Sequence, residues 1–449
     1  MRQVRFSIAV LVALVLFSFP MFAADYVLTA SNWNNSKSAA VAAAGGTVRY
    51  SHASGFALVS SEDPNFSANA NASHAFQDVI GDLFAEWTTP LRTADVVEAA
   101  VTPGDETFAA AQWAPTAVNA QGAWSAGYTG AGVRVAVLDG GIYDSHIDLN
   151  GQVDTARSVS FVPGFAFNQD VGTFWHGTHV AGIIAAKDNA IGTIGIAPGA
   201  TIVGVKVLHN GSGSFGAVIA GLLYASTPIA EGGAGADIIN MSLGAEFPKN
   251  ATGGGQLVAA LNKAVNYAGG QGVLVISAAG NSGIDLGQAR NVTSVPAESG
   301  SGIAVSASGP LGFALGATNF RRPASYSNYG EGTIWLAGPG GDFALPGSAI
   351  CALPRQPSGL IVQQCWVFDM VMSTVRGSGA STTSYSWAAG TSMAAPAVAA
   401  VAALAKQAHP GISLGGLKTL LKNSADDEGK NGKDEFYGHG YPNAGRAVQ

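Results

Sequence analysis

The feature that most constrains the fold of this chain is a regular alternation of short apolar segments with longer helical segments between residues 133 and 277. The apolar segments are rich in Val, Ile and Leu, which is typical of strands buried on both faces. Strands that alternate with helices build a parallel sheet with helices on both of its faces. The predicted strands are 133–138, 201–207, 238–242 and 273–277, and the predicted helices are 177–186, 215–225 and 255–268.

A different pattern occupies the residues before about 102 and predicts a small α+β domain of its own. Apolar strands and helices follow one another there in the order β-α-β-β-α, and a segment with Pro, Gly and acidic residues then reads as a linker. The predicted fold class is therefore α/β with a mostly parallel sheet, preceded by a small α+β domain. The strands are expected at 26–28, 46–50 and 55–59, the helices at 37–44 and 74–84, and the linker at 99–114.

Residues 1–23 have the layout of a secretory signal peptide. Met1 to Arg5 is basic, residues 6–19 are almost wholly apolar, and small residues follow, so cleavage is expected after Ala23 or Ala24. A membrane anchor is the alternative, but the apolar run is short for a span and polar sequence follows it at once. The sequence therefore predicts export to an extracellular or periplasmic location.

Composition and cysteine content agree with an exported globular protein. Hydrophobic residues make up 47% of the chain and charged residues 11%, a balance that favours a compact chain over a disordered one. The net charge of -7 argues against nucleic acid as a partner. Cys351 and Cys365 are close in sequence and are expected to form one disulfide, with two free thiols as the alternative.

Four polar residues lie where predicted strands end or predicted helices begin. Asp139 directly follows the first strand, Asn281 follows a later strand, and His176 and Ser392 each begin a helix. Sites of parallel sheets lie at the carboxyl ends of the strands, so these side chains are expected to meet. Asp, His and Ser supply an orienting carboxylate, a base and a nucleophile. The alternative for Ser392 is a helix N-cap, and His179 competes with His176 as the base.

The sequence blocks around these residues resemble those of the subtilisin family of serine peptidases, where Asp, His and Ser occur in the same order. The resemblance covers residues 113–448 and includes a terminal Gly-Tyr-Pro-Asn-Ala element at 440–444. The stretch 340–385 is longer than is typical of the family, and it is either part of the site rim or a surface insertion. Other departures, which carry no chemistry, are Gly141, Ala389 and Ala397.

The resemblance implies a role for each of the four polar residues. Ser392 would attack the scissile carbonyl, His176 would take and return its proton, and Asp139 would orient the histidine. The Asn281 amide and the backbone N–H of Ser392 would bind the oxyanion. His179 would then be a packed helix residue. A zinc site is disfavoured because the His-Glu-x-x-His motif is absent from the sequence.

The resemblance also implies that protein or peptide substrates bind by strand addition to exposed edges. The implied residues are Ser242, Leu243 and Gly244 for one edge and pocket wall, Ala279 and Gly280 for the opposite wall, Gly213 for the second edge, and Ser294 near the pocket floor. The segment 209–213 also reads as a plain glycine turn. No acidic residue is clearly placed in the specificity pocket, which favours an apolar or broad preference.

A structural Ca²⁺ site is implied as well, because the matching positions supply the oxygen ligands that this ion prefers. The alternative is that these are ordinary surface turn residues. The side-chain ligands would be Asp148 and Asn189, the backbone carbonyl ligands those of Lys187, Ile191 and Thr193, and the candidates for a further ligand near the mature N-terminus Asp105, Glu106 and Gln112.

The small N-terminal domain resembles the inhibitory propeptide of the family, chiefly over residues 45–59. The resulting division is a signal peptide (1–23), a ferredoxin-like propeptide that acts as inhibitor and chaperone (24–106), and a peptidase domain (107–449). A separate binding module is the alternative for the small domain. The expected partners are substrates and the propeptide, with no membrane after signal cleavage, and the expected state is a monomer.

The sequence thus predicts a secreted serine endopeptidase that matures by cleaving its own propeptide. Two other classes of function compete with this interpretation. A lipase or esterase would carry its nucleophile in Gly-x-Ser-x-Gly, and Ala394 stands in place of the final glycine. A catalytically silent binding protein of the same fold would keep the residues without an assembled site.

Overall fold

The computed structural model describes residues 23–86, 92–93, 106–249, 253–378 and 383–449, so nearly all of the predicted signal peptide and much of the predicted linker lie outside it. The N-terminal elements are β1 (Ala24–Thr29), α1 (Asn35–Ala43), β2 (Thr47–His52), β3 (Phe56–Ser61), α2 (Phe66–Ala72), β4 (Asp78–Gly81), β5 (Phe84–Glu86) and β6 (Arg92–Thr93). Four of the strands form an antiparallel sheet in the order β2-β3-β1-β4. This is the order of a ferredoxin-like fold, as predicted.

The helix predicted at 74–84 is wrong. The second helix of the N-terminal domain, α2, ends before Ser73, and His74 has a positive φ of 51°, which an α-helix does not allow. Strand β4 follows, and it pairs with β1 through contacts such as Ile80 with Val27. Pairing with the sheet edge therefore overrides the local helix propensity of this segment.

The region after residue 106 is built on a parallel sheet. Its strands, together with those of smaller sheets, are β7 (Arg134–Asp139), β8 (Val159–Ser160), β9 (Thr201–Lys206), β10 (Ser212–Ser214), β11 (Ile238–Met241), β12 (Ala245–Pro248), β13 (Leu274–Ala278), β14 (Val292–Val295), β15 (Ile303–Ser308), β16 (Ile334–Pro339), β17 (Ile350–Pro354), β18 (Leu360–Gln364), β19 (Val371–Val375) and β20 (Ser384–Ala389). The large sheet has seven strands in the order β16-β15-β13-β11-β7-β9-β8. The four predicted strands are all present in it.

Helices cover both faces of this sheet, so the predicted α/β class is confirmed. They are α3 (Ala114–Ala117), α4 (Ala120–Ser125), α5 (His176–Ala185), α6 (Phe215–Ser226), α7 (Gly254–Gly270), α8 (Thr391–Ala408), α9 (Leu414–Ser424) and α10 (Ala444–Ala447). Alternate residues of β7 point to opposite faces: Val135 and Val137 pack in the core of α5 and α8, and Ala136 and Leu138 in that of α6 and α7. Among the described residues, none of these helices combines the length and apolarity needed to cross a membrane.

The N-terminal domain packs against the face that carries α6 and α7. Val27, Leu58 and Ile80 belong to the same hydrophobic core as these helices. Polar contacts surround this core: Lys263 donates a hydrogen bond to the Ala30 carbonyl over 3.2 Å, and the His52 ring lies 3.0 Å from the Thr227 hydroxyl. The two domains are therefore joined by apolar burial as well as by the chain.

The chain that leaves the N-terminal domain adds strands to two edges of the larger domain. Strand β5 pairs antiparallel with β10, so that Ala85 lies opposite Gly213. Strand β6 pairs antiparallel with β20, so that Arg92 lies opposite Ala389. The described parts of the N-terminal chain are thus paired with two different edges of the larger domain.

The long stretch before α8 contains a hairpin of β17 and β18 that is closed by a disulfide. Cys351 is bonded to Cys365, which confirms the predicted pairing. The hairpin contacts the segment that opens the larger domain: the Gln356 N–H donates to the Thr107 carbonyl over 3.1 Å, and the Arg355 guanidinium lies over the Phe108 ring. Part of the predicted insertion therefore packs against the segment 106–112 and acts as a brace that holds it in place.

Candidate active site

Ser392 is the second residue of α8, where backbone N–H groups have no partner within the helix. The N-cap residue is Gly390, so Ser392 is not the capping residue that the sequence left as an alternative. Its hydroxyl donates to the Ser242 carbonyl over 3.1 Å, and the Ser242 hydroxyl in turn donates to the Ser392 carbonyl over 2.7 Å. The end of β11 therefore holds the start of α8.

His176 and Asp139 form a close pair at the carboxyl end of β7. His176 Nδ1 lies 2.9 Å from Oδ1 and 2.8 Å from Oδ2 of Asp139, which is itself 1% exposed. A carboxylate only accepts hydrogen bonds, so the Nδ1 atom carries the proton and Nε2 keeps the lone pair of a base. Within the described part of the chain, no hydrogen bond joins His176 Nε2 to Ser392, whose hydroxyl points to Ser242.

His179, the competing histidine, is enclosed on the same helix. It is fully buried, and its Nε2 donates to the Ser386 carbonyl over 3.1 Å. Burial lowers the pKa of His179 to about 3, and the charge of His176 adds to this effect. It therefore stays neutral and acts as a packed helix residue, as the resemblance implied.

Asn281 is fixed next to the start of α8 by its side-chain oxygen. Oδ1 accepts hydrogen bonds from the Thr391 N–H over 2.9 Å and from the Thr391 hydroxyl over 2.8 Å. The same hydroxyl accepts from the Gly280 N–H over 3.1 Å, which ties the chain after β13 to α8. Because Oδ1 is held in this way, the amide presents its nitrogen on the opposite side, in an orientation suited to donation.

The residues expected to bind substrate lie around this group. Gly213 forms a strand edge, and the N-terminal chain is paired with it through Ala85. Ser242, Leu243 and Gly244 follow β11, and Ala279 and Gly280 follow β13, at the same end of the sheet. Behind them, Ser294 is buried with its hydroxyl 3.4 Å from the Ala279 carbonyl. Of these residues, Ser242 and Gly280 contact the start of α8 directly, through Ser392 and Thr391 respectively.

The residues expected to bind calcium gather at the loop that follows α5. Asp148 is fully buried, and it accepts hydrogen bonds from Asn189 Nδ2, the Thr193 N–H and the Tyr385 hydroxyl over 2.9 to 3.2 Å. Glu106 accepts from the backbone N–H groups of Asn189 and Ala190. Burial raises the pKa of Asp148 to about 7, and the charge of Glu106 contributes to the rise.

These ligand types fit a hard cation. A bound positive charge would stabilise two carboxylates that repel each other at a buried loop, and the amide and backbone carbonyls expected there would supply further oxygen ligands. Of the weak candidates near the mature N-terminus, Glu106 is the one that reaches the loop, whereas Gln112 bonds to Ile194 and Asp105 is outside the described residues. Clusters of three or more His, Cys, Asp or Glu side chains suited to a metal do not occur among the described residues.

A sequence model of the subtilase family matches residues 130–440, which is more than half of the chain. The chain belongs to the subtilase family. Curated relatives agree: this subtilase is 38% identical over 338 residues to M-protease of Shouchella clausii, which covers 75% of this chain and 70% of that protein. It is 37% identical over 338 residues to Subtilisin Savinase of Lederbergia lenta, covering 75% and 98% of the two chains. The enzyme is a serine endopeptidase.

Solved structures show the same fold. A protease from Pseudoalteromonas arctica covers 78% of this subtilase and 99% of its own chain with a TM-score of 0.59 and 29% identity. The match to the epidermin leader peptide processing serine protease of Staphylococcus aureus covers 95% of this chain and 98% of that protein, with a TM-score of 0.71. The identity is 21%, so this match supports the fold alone. The match to the latter extends over the N-terminal domain as well, because it covers nearly the whole chain.

The sequence analysis of the subtilase missed a charged cluster beneath Asp139. Lys206 lies opposite Asp139 in the register of β7 and β9, is 1% exposed, and donates to the Gly140 and Leu208 carbonyls. Asp170 packs so closely that a Cβ on Gly140 would lie 2.5 Å from its Oδ2. A lysine inside an apolar strand was the signal in the sequence. Gly141 is the more constrained of the two glycines, because its φ is 149° and a Cβ there would lie 2.7 Å from the Gln169 carbonyl oxygen.

Proposed function

We propose that this subtilase is a secreted endopeptidase that hydrolyses peptide bonds through Asp139, His176 and Ser392. The observation that carries the proposal is the pairing of His176 Nδ1 with Asp139 beside a serine at the start of a buried helix. His176 Nε2 takes the proton of Ser392 as its oxygen attacks the substrate carbonyl, and Asp139 stabilises the imidazolium that forms. The proton then passes to the leaving amine.

The developing oxyanion is bound by two donors in this proposal. One is the Asn281 amide nitrogen and the other is the backbone N–H of Ser392 at the start of α8. Thr391 holds the Asn281 oxygen, so the amide does not have to reorient during the reaction. The Ser392 hydroxyl has to rotate from the Ser242 carbonyl to His176 before it can react.

Substrates add a strand to the edge that contains Gly213 and lie between it and the edge of Ser242, Leu243 and Gly244, with Ala279 and Gly280 on the far wall. The N-terminal chain occupies the first of these edges through β5, which supports its assignment as a propeptide that blocks the cleft until it is cut. Strand β6 pairs with the end of β20, three to four residues before Ser392 in the chain. The first self-cleavage is therefore expected between Glu86 and Arg92.

The boundary of the mature enzyme follows from contacts at the loop after α5. Glu106 binds the backbone of that loop, and the Phe108 N–H donates to the Gly192 carbonyl over 2.9 Å. These contacts favour a mature chain that keeps Glu106. The propeptide would then end before residue 106, earlier than the sequence predicted. Further trimming between the first cut and this point would complete maturation, after export by the signal peptide.

Ca²⁺ is the cofactor proposed for this loop, with Asp148, Asn189 and Glu106 and the carbonyls of Lys187, Ile191 and Thr193 as its ligands. The ion would tie residue 106 to the loop and supply structural stability, with no part in peptide hydrolysis. Chelation with EDTA is expected to lower the midpoint of thermal unfolding, and Asp148→Asn to remove this sensitivity. An identical midpoint with and without EDTA in the wild-type enzyme would contradict the site.

The test of the catalytic proposal compares the wild type, Ser392→Ala and Ser358→Ala, the last being an exposed hairpin serine that serves as the matched control. The wild type and Ser358→Ala should lose an N-terminal piece and digest casein. Ser392→Ala should keep the mass of the full chain without its signal and leave casein intact. If none of the three is cut and none digests casein, the silent binding protein replaces the peptidase as the interpretation.

A further inference from the structure

An open cleft lined by Trp175, the residue before the proposed base, belongs to none of the sites described above. Its volume is about 530 Å³, and its walls include Phe165, Asp170, Trp175, His209 and Arg376. Trp175 immediately precedes His176, and Arg376 follows β19. The loop that supplies Phe165 and Asp170 lies between Asp139 and His176 in the chain.

The cleft lies at the end of the substrate edge. His209 begins the turn into β10, where its N–H donates to the Ser212 carbonyl over 2.8 Å and the Ser212 N–H donates back to the His209 carbonyl over 3.1 Å. In the pairing of β5 with β10, Glu86 is opposite Ser212, and the two strands run antiparallel. A substrate strand in this register therefore continues past Ser212 towards His209.

Side chains alternate between the two faces of a strand, which decides what the cleft can receive. The substrate residue opposite Ser212 and the one after it point to opposite sides. Continued in the same antiparallel register, the later residue comes opposite Gly211, within the turn from His209 to Ser212 that lines the cleft. In the sequence of this chain, the residue after Glu86 is Trp87.

The walls of the cleft are mainly planar and aromatic. The Phe165 and His209 rings are stacked, with centroids 3.7 Å apart and planes inclined by 20°. Facing them, the Trp175 ring is held edge-on by Tyr143 at 5.7 Å and carries the Arg376 guanidinium 5.2 Å from its centroid. Phe165 remains 41% exposed, so apolar aromatic surface is left for a ligand to cover.

Asp170 and His209 at the border of the cleft are engaged with each other and with backbone groups, and the Arg376 guanidinium lies over the Trp175 and Tyr143 rings. Asp170 Oδ1 accepts hydrogen bonds from the Val171 and Asn210 N–H groups over 2.9 and 3.2 Å. His209 Nδ1 lies 3.7 Å from the same oxygen, and burial together with the nearby Lys206 charge lowers the His209 pKa, so the ring is neutral at pH 7. A cationic substrate side chain would therefore gain little from Asp170, whereas an aromatic ring could pack on the exposed part of the Phe165 wall.

We propose that this cleft selects an aromatic side chain at the substrate position that follows the residue opposite Ser212. The inference rests on the proposed peptidase function and specifies which substrates that function favours. Burial of an aromatic ring against Phe165 and Trp175 should raise kcat/KM by about 10- to 100-fold over alanine at the same position. Lysine at that position should resemble alanine, and glutamate should be less favoured than an aromatic residue.

The test uses internally quenched decapeptides with the sequence of residues 84–93, in which the fourth residue is Trp, Phe, Ala, Lys or Glu. The matured enzyme, Phe165→Ala and the control Leu360→Ala, an exposed apolar residue on the distant hairpin, are assayed for kcat/KM, and mass spectrometry locates the cut. We expect Trp and Phe to be preferred by the wild type and by Leu360→Ala, and the preference to fall about tenfold in Phe165→Ala.

Failure of this inference can be told apart from failure of the peptidase function. Equal kcat/KM for the Trp and Ala peptides, with casein still digested, would overturn the aromatic selection alone. So would a preference for lysine, which would assign the cleft to the Asp170 charge, or an aromatic preference that Phe165→Ala leaves intact. If neither casein nor any peptide is cleaved, both proposals fall.

Discussion

At the scale of single residues, Thr391 holds the proposed oxyanion donor. Its hydroxyl and N–H both donate to Asn281 Oδ1, and the hydroxyl also accepts from the Gly280 N–H. Thr391 touches no reacting atom in the proposed mechanism. It is therefore a positioning residue, and its effect should appear in the rate of the chemical step.

Thr391→Val is expected to lower kcat by about 10-fold with KM little changed, because one of the two anchors of the Asn281 amide is lost. Thr391→Ser keeps the hydroxyl and should retain most of the activity. Asn281→Ala should cost about 10²- to 10³-fold in kcat, the loss measured for the oxyanion asparagine of subtilisin. Equal kcat values for the Val and Ser variants would show that the hydroxyl does not position Asn281.

The sequence predicted single residues well where they lie at the end of an element. Asp139 is the last residue of β7 and Asn281 comes three residues after β13, so their position at the same edge of the sheet could be predicted from the rule for parallel sheets. Lys206 could not be placed beneath Asp139, because that contact depends on the register of β7 against β9. The stacking of Phe165 on His209 could not be predicted either, because it joins two loops that are far apart in the sequence.

At the scale of elements, the disulfide hairpin of β17 and β18 holds the segment that begins the larger domain. The Cys351–Cys365 bond closes a loop with a sequence separation of 14, and the hairpin tip contacts Thr107 and Phe108. The cysteine spacing predicted the bond. The contact of the hairpin with residues 106–112 was not predictable, because the two segments are distant in the sequence.

Replacing Cys351 and Cys365 together by Ser is expected to lower the free energy of unfolding by about 3 kcal/mol, the loop-closure entropy of a loop of this length. Urea unfolding of both proteins checks this value. Treatment with a reducing agent should destabilise the wild type to the same level and leave the double variant unchanged. A wild-type stability that reductant does not alter would contradict the role of the hairpin as a brace.

A second element-scale contact joins the N-terminal domain to helix α6. The Asp82 carboxylate accepts hydrogen bonds from the Gly216 N–H over 2.9 Å, at the first turn of that helix, and from the Ser214 hydroxyl. Two effects oppose each other there. Burial disfavours the ionised form more than the helix N–H groups favour it, and the charge of Asp25 adds to the effect, so the pKa of Asp82 is raised from 3.8 to about 6.

The sign of the pH dependence follows from this shift. A carboxyl whose pKa is raised on folding stabilises the assembled protein while it is protonated, and this contribution is lost as the pH rises from about 4 to 6. We compare Ser392→Ala, which stays uncut, with the double variant Ser392→Ala/Asp82→Asn. The two should have nearly the same free energy of unfolding at pH 4. At pH 7 the double variant should be more stable than Ser392→Ala by about 1–2 kcal/mol. His52, whose pKa burial lowers, has the opposite dependence in both proteins.

Thermal unfolding of the two proteins between pH 4 and 7 measures this difference, and the contribution of His52 cancels in the comparison. Parallel stability curves over the whole range would exclude Asp82 as the titrating group.

The mispredicted helix at 74–84 belongs to this same part of the chain. Its local sequence could not reveal that β4 pairs with β1 and leads Asp82 to the start of α6.

At the scale of the whole molecule, the fold class and the order of the domains were predictable from periodicity, because apolar strands and helices alternate over a long range. The packing of the two domains was not. Val27 and Leu58 of the N-terminal domain enter a core that also contains residues of α6 and α7, such as Phe215 and Leu257. Such a shared core depends on two apolar surfaces whose mutual orientation only the three-dimensional structure gives.

The two pairings of the N-terminal chain, β5 with β10 and β6 with β20, have a consequence for reaction order. Under the proposed self-cleavage, the same molecule supplies both the cleft and the two paired strands on either side of the cut, so the first cut should be a unimolecular event. Its rate constant should stay the same when the concentration of the precursor is changed a hundredfold, with no lag phase. Time courses of precursor cleavage that steepen as product accumulates would instead show that one molecule cuts another. In that case β5 and β6 would have to leave the edges of the larger domain before the cut.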